Sequence, residues 1–221
     1  MKDTMAEQKF KAVAFDLLTA LMDSWAFWIR TAGDETLGRA WRRASLRLVT
    51  TAGIYRPYEE TVFEAAREVG VPGERADHLL KDWAAGGLSP WPEAPSVLAK
   101  IASHGWRTAV VTNCSQRLAE AAAAATGHRF DHIVSAERAG FYKIRPEAYR
   151  AGLAALGEDA SRVLFVAGSP HDVPGAAAVG MQVYWSNRFN DPVPTGAPEP
   201  LMNQPDLVAL PDLLADYPVN G

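Results

Sequence analysis

The sequence predicts an α/β fold, with a Rossmann-like parallel sheet, helices on both faces of the sheet and an inserted helical cap. Short, continuous apolar runs recur along the chain, and such runs are typical of strands buried on both faces of a parallel sheet. Amphipathic segments with helical spacing lie between these runs. Alternation of this kind favours an α/β architecture. One long stretch near the N-terminus carries helical patterns alone, which predicts an insertion.

The apolar runs are predicted as the strands of this sheet. The first run ends at Asp16, and the others begin only after residue 100. The four stronger runs cover residues 11–15, 108–112, 162–166 and 181–185, and two shorter candidates cover residues 132–135 and 206–209. Parallel neighbours need a crossover connection between them, which the intervening helices supply.

The core helices are predicted from apolar spacing and from the residues at their ends. They cover residues 94–104, 115–126, 146–156 and 174–179. Ser115 is typical of an N-cap, and Gly127 is typical of the residue that follows a helix. Pro146 stands in a first turn, where the N–H that proline lacks has no helical partner. The tail at residues 190–205 contains five of the fifteen prolines and is predicted as an ordered loop.

The insertion divides the chain into a core and a cap. Three helical patterns cover residues 41–51, 58–69 and 76–85, with glycine and proline between them. No buried strand is predicted among them. We therefore assign residues 1–23 and 91–221 to the core and residues 24–90 to the cap.

Composition excludes several classes of protein. The chain has 221 residues, a single cysteine and a net charge of -4, so neither a disulfide framework nor a basic nucleic-acid-binding surface is expected. No apolar run reaches the roughly 20 residues that a membrane span needs. The N-terminus lacks the apolar region of a signal peptide, so a cytoplasmic protein without a nucleic-acid or membrane partner is expected. Cys114 itself is expected to fill apolar space.

Polar residues follow the predicted strands where each strand ends. Asp16 follows the first strand, Thr112 and Asn113 end the second, and Asp172 lies in the loop after the run at 162–166. Lys143 precedes a predicted helix. Ligands bind at the carboxyl ends of the strands in an open parallel sheet. These five residues are therefore expected to meet in one crevice.

Four segments in this order resemble the motifs of the haloacid dehalogenase superfamily. The segment at 16–24 is similar to Asp-x-Asp-Gly-Thr-Leu-x-Asp-Ser, and Thr112 stands where the second motif has a strand-end Thr or Ser. Residues 143–146 are similar to Lys-Pro-x-Pro, and the loop that ends at Asp172 is similar to Gly-Asp-Ser-x-x-Asp. The resemblance implies the Rossmann-like core and the small cap of that superfamily.

Two departures from these motifs point to one branch of the superfamily. Leu18 replaces the aspartate that moves protons in phosphatase members, and Gly168 replaces an aspartate that binds magnesium. The chain is most similar to the type II, or L-, 2-haloacid dehalogenases, which lack the second aspartate and need no metal. The Trp-Arg pair that ends at Arg42 and the six-residue spacing from Lys143 to Tyr149 resemble features of that branch.

The resemblance implies a hydrolase that converts a 2-haloalkanoic acid into a 2-hydroxy acid without a metal or other cofactor. Asp16 would displace halide and form an ester that water then hydrolyses. Lys143 would keep Asp16 ionised, and Asp172 would hold Lys143 and orient the water. Arg42 would meet the substrate carboxylate or the departing halide; both assignments stay open. The substrate-binding set implied is Arg42, Thr112, Asn113, Leu18, Ser169 and Tyr149.

Several residues depart even from this branch. It has Tyr, Gly and Thr where this chain has Leu18, Thr19 and Ala20, so a hydroxyl from Thr19 would have to replace the one missing at Ala20. Ser169 stands where the branch has asparagine. Two alternatives therefore stay open: a phosphatase with relaxed motifs, which would use Mg²⁺, and a catalytically silent binding protein. The implied partners are a 2-haloacid and halide, and the resemblance is compatible with a homodimer.

Overall fold

A computed structural model describes residues 10–217. Its centre is one six-stranded sheet with the order β3-β2-β1-β4-β5-β6, in which every neighbouring pair is parallel. The strands are β1 (Ala12–Phe15), β2 (Arg107–Thr112), β3 (His132–Ser135), β4 (Val163–Ala167), β5 (Gln182–Ser186) and β6 (Met202–Gln204). The predicted parallel α/β fold is confirmed.

The apolar run of β1 forms a strand because both of its faces are buried. Val13 and Phe15 pack into the core on one face, and Ala12 and Ala14 pack into a second cluster on the other face. From β1 the chain builds towards β2 and β3 on one side, and it later crosses to β4 on the other. The end of β1 is therefore the topological switch point, where a crevice opens.

Between residues 10 and 217, ten α-helices cover the sheet and form the insertion. The insertion contains α1 (Ser24–Ala32), α2 (Glu35–Ala52), α3 (Tyr58–Val69) and α4 (Gly73–Ala84). The core contains α5 (Ala94–Ser103), α6 (Gln116–Ala125), α7 (Ala136–Ala139), α8 (Pro146–Leu156), α9 (Asp172–Ala177) and α10 (Leu210–Ala215). A π-helical turn covers Leu17–Leu21, and a 3-10 turn covers Ala160–Arg162. No helix between residues 10 and 217 has the length and apolar character needed to cross a bilayer.

The helices α1–α4 pack around buried aromatic side chains. The ring centroids of Trp28 and Trp41 lie 4.7 Å apart, and those of Tyr58 and Trp83 lie 5.8 Å apart, with edge-to-face geometry in both pairs. Aromatic pairs of this geometry add to the free energy gained by burying the rings. These aromatic side chains belong to the same apolar cluster as Val13 and Phe15 of β1, so the insertion packs continuously with one face of the sheet.

Two short antiparallel bridges connect the insertion to the core. Met22 pairs with Pro90 where the chain enters and leaves the insertion, and Ile54 pairs with Phe141 at the connection between α2 and α3. Backbone hydrogen bonds flank the second bridge: the N–H of Tyr142 donates to the carbonyl of Gly53 at 2.7 Å. The bridge lies two residues before Lys143.

The structure corrects two predictions near the C-terminus. Residues 206–209 are not a strand; they form turns that lead into α10. The loop predicted at 190–205 contains β6, which pairs Met202 with Tyr184 at the edge of the sheet. The strand has only three residues and one apolar side chain, so no apolar run reveals it. Helix α9 also begins at Asp172, two residues before the predicted start.

Candidate active site

Asp16 leaves β1 directly into the π-helical turn and caps that turn with its side chain. Its Oδ2 accepts hydrogen bonds from the N–H of Thr19 at 2.8 Å, from the Thr19 hydroxyl at 2.7 Å and from the N–H of Ala20 at 3.0 Å. The hydroxyl that the branch carries at position 20 thus comes from position 19 in this chain. Three donors on one oxygen hold the carboxylate in a fixed orientation.

Lys143 lies between two buried carboxylates. Its Nζ is 2.8 Å from Oδ1 of Asp16, 3.0 Å from Oδ1 of Asp172 and 3.2 Å from Oδ2 of Asp172. Lys143 is 3% exposed, and the two aspartates are 5% and 3% exposed. The Tyr149 hydroxyl donates to Oδ1 of Asp172 at 2.8 Å. The chain therefore brings three charged groups from three separate segments into contact.

Burial and charge act in opposite directions on these groups. Burial alone would raise the pKa of Asp16, but Lys143 and the donors of Thr19 outweigh it, so the pKa is lowered. Burial alone would lower the pKa of Lys143, but the two carboxylates outweigh it, so this pKa is raised. For Asp172, burial prevails and the pKa is raised. Asp16 is therefore an anion, and Lys143 a cation, at neutral pH.

The backbone of Lys143 is held by Asn113, which follows β2. The Asn113 side chain accepts a hydrogen bond from the N–H of Lys143 at 2.7 Å and donates one to its carbonyl at 2.9 Å. Both ends of this amide are thereby used in positioning the lysine. The contact with a substrate carboxylate that the resemblance implies for Asn113 stays a prediction.

The charged groups open onto a cavity of about 50 Å³ between the sheet edge and α2. Of the residues predicted for the site, the cavity wall contains Asp16, Leu18, Arg42, Asn113, Lys143, Ser169 and Asp172, and it also contains Thr19, Leu46, Thr50, Ile144 and His171. Thr112 and Tyr149 lie outside this wall. The Thr112 hydroxyl is 3.9 Å from the Cys114 sulfur, and Tyr149 supports Asp172 from behind.

Leu46, Thr50 and Ile144 are wall residues that the sequence analysis did not single out. A signal for two of them was present, because Arg42, Leu46 and Thr50 are spaced four residues apart and share one face of a helix. Ile144 follows the catalytic-site lysine directly.

Arg42 is a buried cation without a carboxylate partner among the described residues. It is 2% exposed, its Nη2 donates to the Ser24 hydroxyl at 3.3 Å, and its Nε has no hydrogen-bond partner within residues 10–217. The guanidinium lies over the rings of Trp28 and Trp25, at 5.3 and 6.0 Å from their centroids. By contrast, Arg39 on the same helix is ion-paired and more exposed. A buried charge without a counterion is costly, so the arrangement favours binding of an anion.

A family model for haloacid dehalogenase-like hydrolases matches residues 10–180. The chain belongs to this family. Haloacetate dehalogenase H-2 of Moraxella sp. (strain B) is 29% identical over 82% of this haloacid dehalogenase-like chain and 88% of the relative. The (S)-2-haloacid dehalogenase of Pseudomonas sp. (strain YL) is 28% identical over 80% and 83%.

The solved structure of an L-2-haloacid dehalogenase is similar to this chain over nearly the whole length of both proteins. It is the L-2-haloacid dehalogenase of Xanthobacter autotrophicus with chloropropionic acid covalently bound, with a TM-score of 0.81, 25% identity, and coverage of 93% of this chain and 98% of that one. The predictions of a haloacid dehalogenase-like hydrolase with the Rossmann-like fold, similar to the L-2-haloacid dehalogenases, are thereby confirmed.

Proposed function

We propose that this haloacid dehalogenase-like hydrolase removes halide from a short 2-haloalkanoic acid and yields the 2-hydroxy acid. The observation that carries the proposal is Asp16, an anion with Oδ2 bound by three donors and Oδ1 bound by one ammonium, at the wall of the cavity. The relatives named for haloacetate and 2-haloacid dehalogenation support it.

In the first step, Oδ1 of Asp16 attacks C2 of the substrate. A C–O bond forms as the C–halogen bond breaks, and the electron pair leaves on the halide, so no proton donor is needed. The aliphatic side chain of Leu18 is compatible with such a step. Arg42 supplies a positive charge to the substrate carboxylate or to the departing halide.

In the second step, water attacks Cγ of the Asp16 ester. Negative charge develops on Oδ2, where the Thr19 N–H, the Thr19 hydroxyl and the Ala20 N–H already converge, as in an oxyanion hole. Asp172 orients the water and accepts one of its protons. When the bond between Cγ and the ester oxygen breaks, Asp172 returns that proton to the leaving alkoxide, which departs as the 2-hydroxy acid. The second proton of the water is lost from the re-formed carboxyl group of Asp16. The net reaction consumes one water and releases halide and one proton.

The remaining residues have supporting roles in this proposal. Leu18 and Ser169 contact the substrate from the cavity wall, Asn113 holds the lysine loop, and Thr112 and Tyr149 lie behind the groups that touch the substrate. We assign residues 24–90 to a cap, which supplies Arg42, and residues 1–23 and 91–221 to the core.

The donor set does not fit the Mg²⁺ of a phosphatase. A Cβ at Gly168 would lie 2.1 Å from the backbone nitrogen of Ala20, so the metal-binding aspartate of phosphatases has no room there. Leu18 offers no carboxylate, and the Lys143 ammonium contacts the two aspartates that remain. Magnesium prefers several oxygen ligands in octahedral geometry. We therefore propose chemistry without a metal.

The cavity volume supports a small substrate. About 50 Å³ corresponds to a few water molecules, since one water needs roughly 10–15 Å³ by the same measure. We therefore expect acids of two or three carbons as substrates.

The test is a single turnover in ¹⁸O-water with enzyme in excess, in the presence of a metal chelator. Fluoroacetate, chloroacetate, both enantiomers of 2-chloropropionate and a phosphomonoester are compared for halide and phosphate release. We expect the unaltered protein to release halide and to incorporate ¹⁸O into Asp16. We expect no halide release from Asp16→Asn. Asp34→Asn is the control, because Asp34 caps α2 in an exposed position.

Four results would contradict the proposal. First-turnover ¹⁸O in the product would exclude the ester, and undiminished halide release by Asp16→Asn would exclude this nucleophile. Phosphate release that requires Mg²⁺ would favour the phosphatase, and absence of any product or adduct would favour the binding protein.

A further inference from the structure

One peptide group beside Asp16 is hydrogen-bonded on both of its sides. The N–H of Ala20 donates to Oδ2 of Asp16 at 3.0 Å. The carbonyl of the same peptide group, that of Thr19, accepts a hydrogen bond from the indole Nε1 of Trp91 at 3.0 Å. The indole, the peptide and the carboxylate thus form a chain of two hydrogen bonds that ends on the oxygen where negative charge develops in the proposed second step.

Trp91 is itself fixed from several directions. Its backbone N–H donates to the carbonyl of Leu21 at 2.9 Å, at the other end of the π-helical turn. The Arg188 guanidinium lies 4.2 Å from the Trp91 ring centroid, and Glu93 pairs with Arg188 from the side. A cation over an indole face is an attractive contact, strongest where both groups are partly desolvated. The indole N–H is therefore held in a defined direction.

The backbone of Gly168 approaches the same peptide closely. A Cβ at Gly168 would lie 2.1 Å from the Ala20 nitrogen and 2.3 Å from the Thr19 carbonyl carbon. The peptide between Thr19 and Ala20 therefore contacts both the backbone of Gly168 and the indole of Trp91. Small shifts of this peptide would change the geometry of the hydrogen bond to Asp16.

We propose that Trp91 is a positioning residue that orients and polarises the Thr19–Ala20 peptide as an oxyanion donor to Asp16. Hydrogen bonds in a chain polarise one another, so a donor on the carbonyl makes the N–H of the same peptide a stronger donor. The inference rests on the proposed function, since the charge it stabilises is that of ester hydrolysis. The effect is therefore larger on hydrolysis of the ester than on its formation.

The variant Trp91→Phe tests the inference because it keeps an aromatic ring under Arg188 and removes the N–H. Trp83→Phe is a matched control: Trp83 Nε1 also donates to a backbone carbonyl, that of Leu118, at 3.0 Å. We expect Trp91→Phe to slow decay of the covalent intermediate by about three- to tenfold, the range of one hydrogen bond. Halide release in the first turnover should change less.

The pH profile separates this role from a purely structural one. A weaker donor on Oδ2 stabilises the carboxylate less, so the acid limb of kcat/KM shifts to higher pH in Trp91→Phe and stays in place in Trp83→Phe. Equal decay rates and equal acid limbs in the two variants would overturn the inference while the proposed function stands. If the unaltered protein releases no halide, the proposed function fails, and the pKa of Asp16 in each variant, read by carboxyl ¹³C NMR, still decides the inference.

Discussion

Replacing Lys143 by methionine removes the ammonium that separates two buried carboxylates and keeps a side chain of similar length. In the unaltered protein, Nζ lies 2.8 Å from Asp16 and 3.0 Å from Asp172. Loss of one partner from a buried ion pair costs about 3–5 kcal/mol in free energy of unfolding. In the variant, two carboxylates would face each other in a dry site, so the pKa of at least one of them rises.

The pH dependence of this loss follows from the sign of each shift. In the unaltered protein, the pKa of Asp16 is lowered, so its stabilisation is present above the unfolded pKa near 4 and is lost as pH falls through the lower, folded value. Without Lys143, the folded pKa of Asp16 lies above the unfolded value, and stability falls as pH rises through that window. Asp172, with its raised pKa, adds to this fall in the variant. The stability difference between the two proteins therefore grows from pH 4 to pH 7.

The assay is urea unfolding followed by tryptophan fluorescence at pH 4.5 and pH 7.5. We expect Lys143→Met to lose about 3–5 kcal/mol at the higher pH and clearly less at the lower one, together with at least a thousandfold loss of halide release. Lys81→Met is the control, since Lys81 forms an exposed helical pair with Asp77 and should change stability by less than about 0.5 kcal/mol. Equal destabilisation at both pH values would refute the reasoning, because the loss would not arise from carboxylate charge.

Three further predictions concern the cavity and the residues behind it. Gly168→Ala should destabilise the protein by about 1–3 kcal/mol in urea unfolding and reduce halide release, because its Cβ would collide with Ala20; unchanged activity would contradict this packing. Arg42→Gln should reduce kcat/KM at least about thirtyfold and leave the urea midpoint unchanged or higher, since the buried guanidinium has no carboxylate partner within residues 10–217. Iodoacetamide should leave Cys114 unmodified in the folded protein and label it after unfolding, as mass spectrometry can show, because burial raises the pKa of this thiol.

The sequence predicts the charged centre of the site because parallel strands bring their carboxyl ends to one edge. Asp16 and Asp172 follow two neighbouring strands, so their convergence needs little beyond the strand assignment. Lys143 lies outside the strands, and only its resemblance to a known motif places it in the site. The edge strand that begins at Met202 is invisible to the same reasoning, because it is short and largely polar.

The rest of the site depends on directions that a sequence does not encode locally. The Thr19 hydroxyl reaches Asp16 because the turn is π-helical, and apolar periodicity carries no signal for such a turn. Leu46 and Thr50 reach the cavity because α2 crosses it, which requires the packing of the whole insertion. Asn113 is a further example. Its residue type suggests contact with a ligand, but the sequence gives no sign that its amide binds the backbone N–H and carbonyl of Lys143.

The bridge between Ile54 and Phe141 connects the insertion to the segment that carries Lys143. Only Tyr142 separates this bridge from the segment that carries the ammonium. If α2 and α3 moved outward together with Ile54, the bridge would pull the backbone of residues 141–143 along. The Lys143 ammonium would then move away from Asp16. A ligand could enter such an open form, but the carboxylate of Asp16 would lack its ammonium partner. Ligand entry and bond breaking would therefore occur at different times.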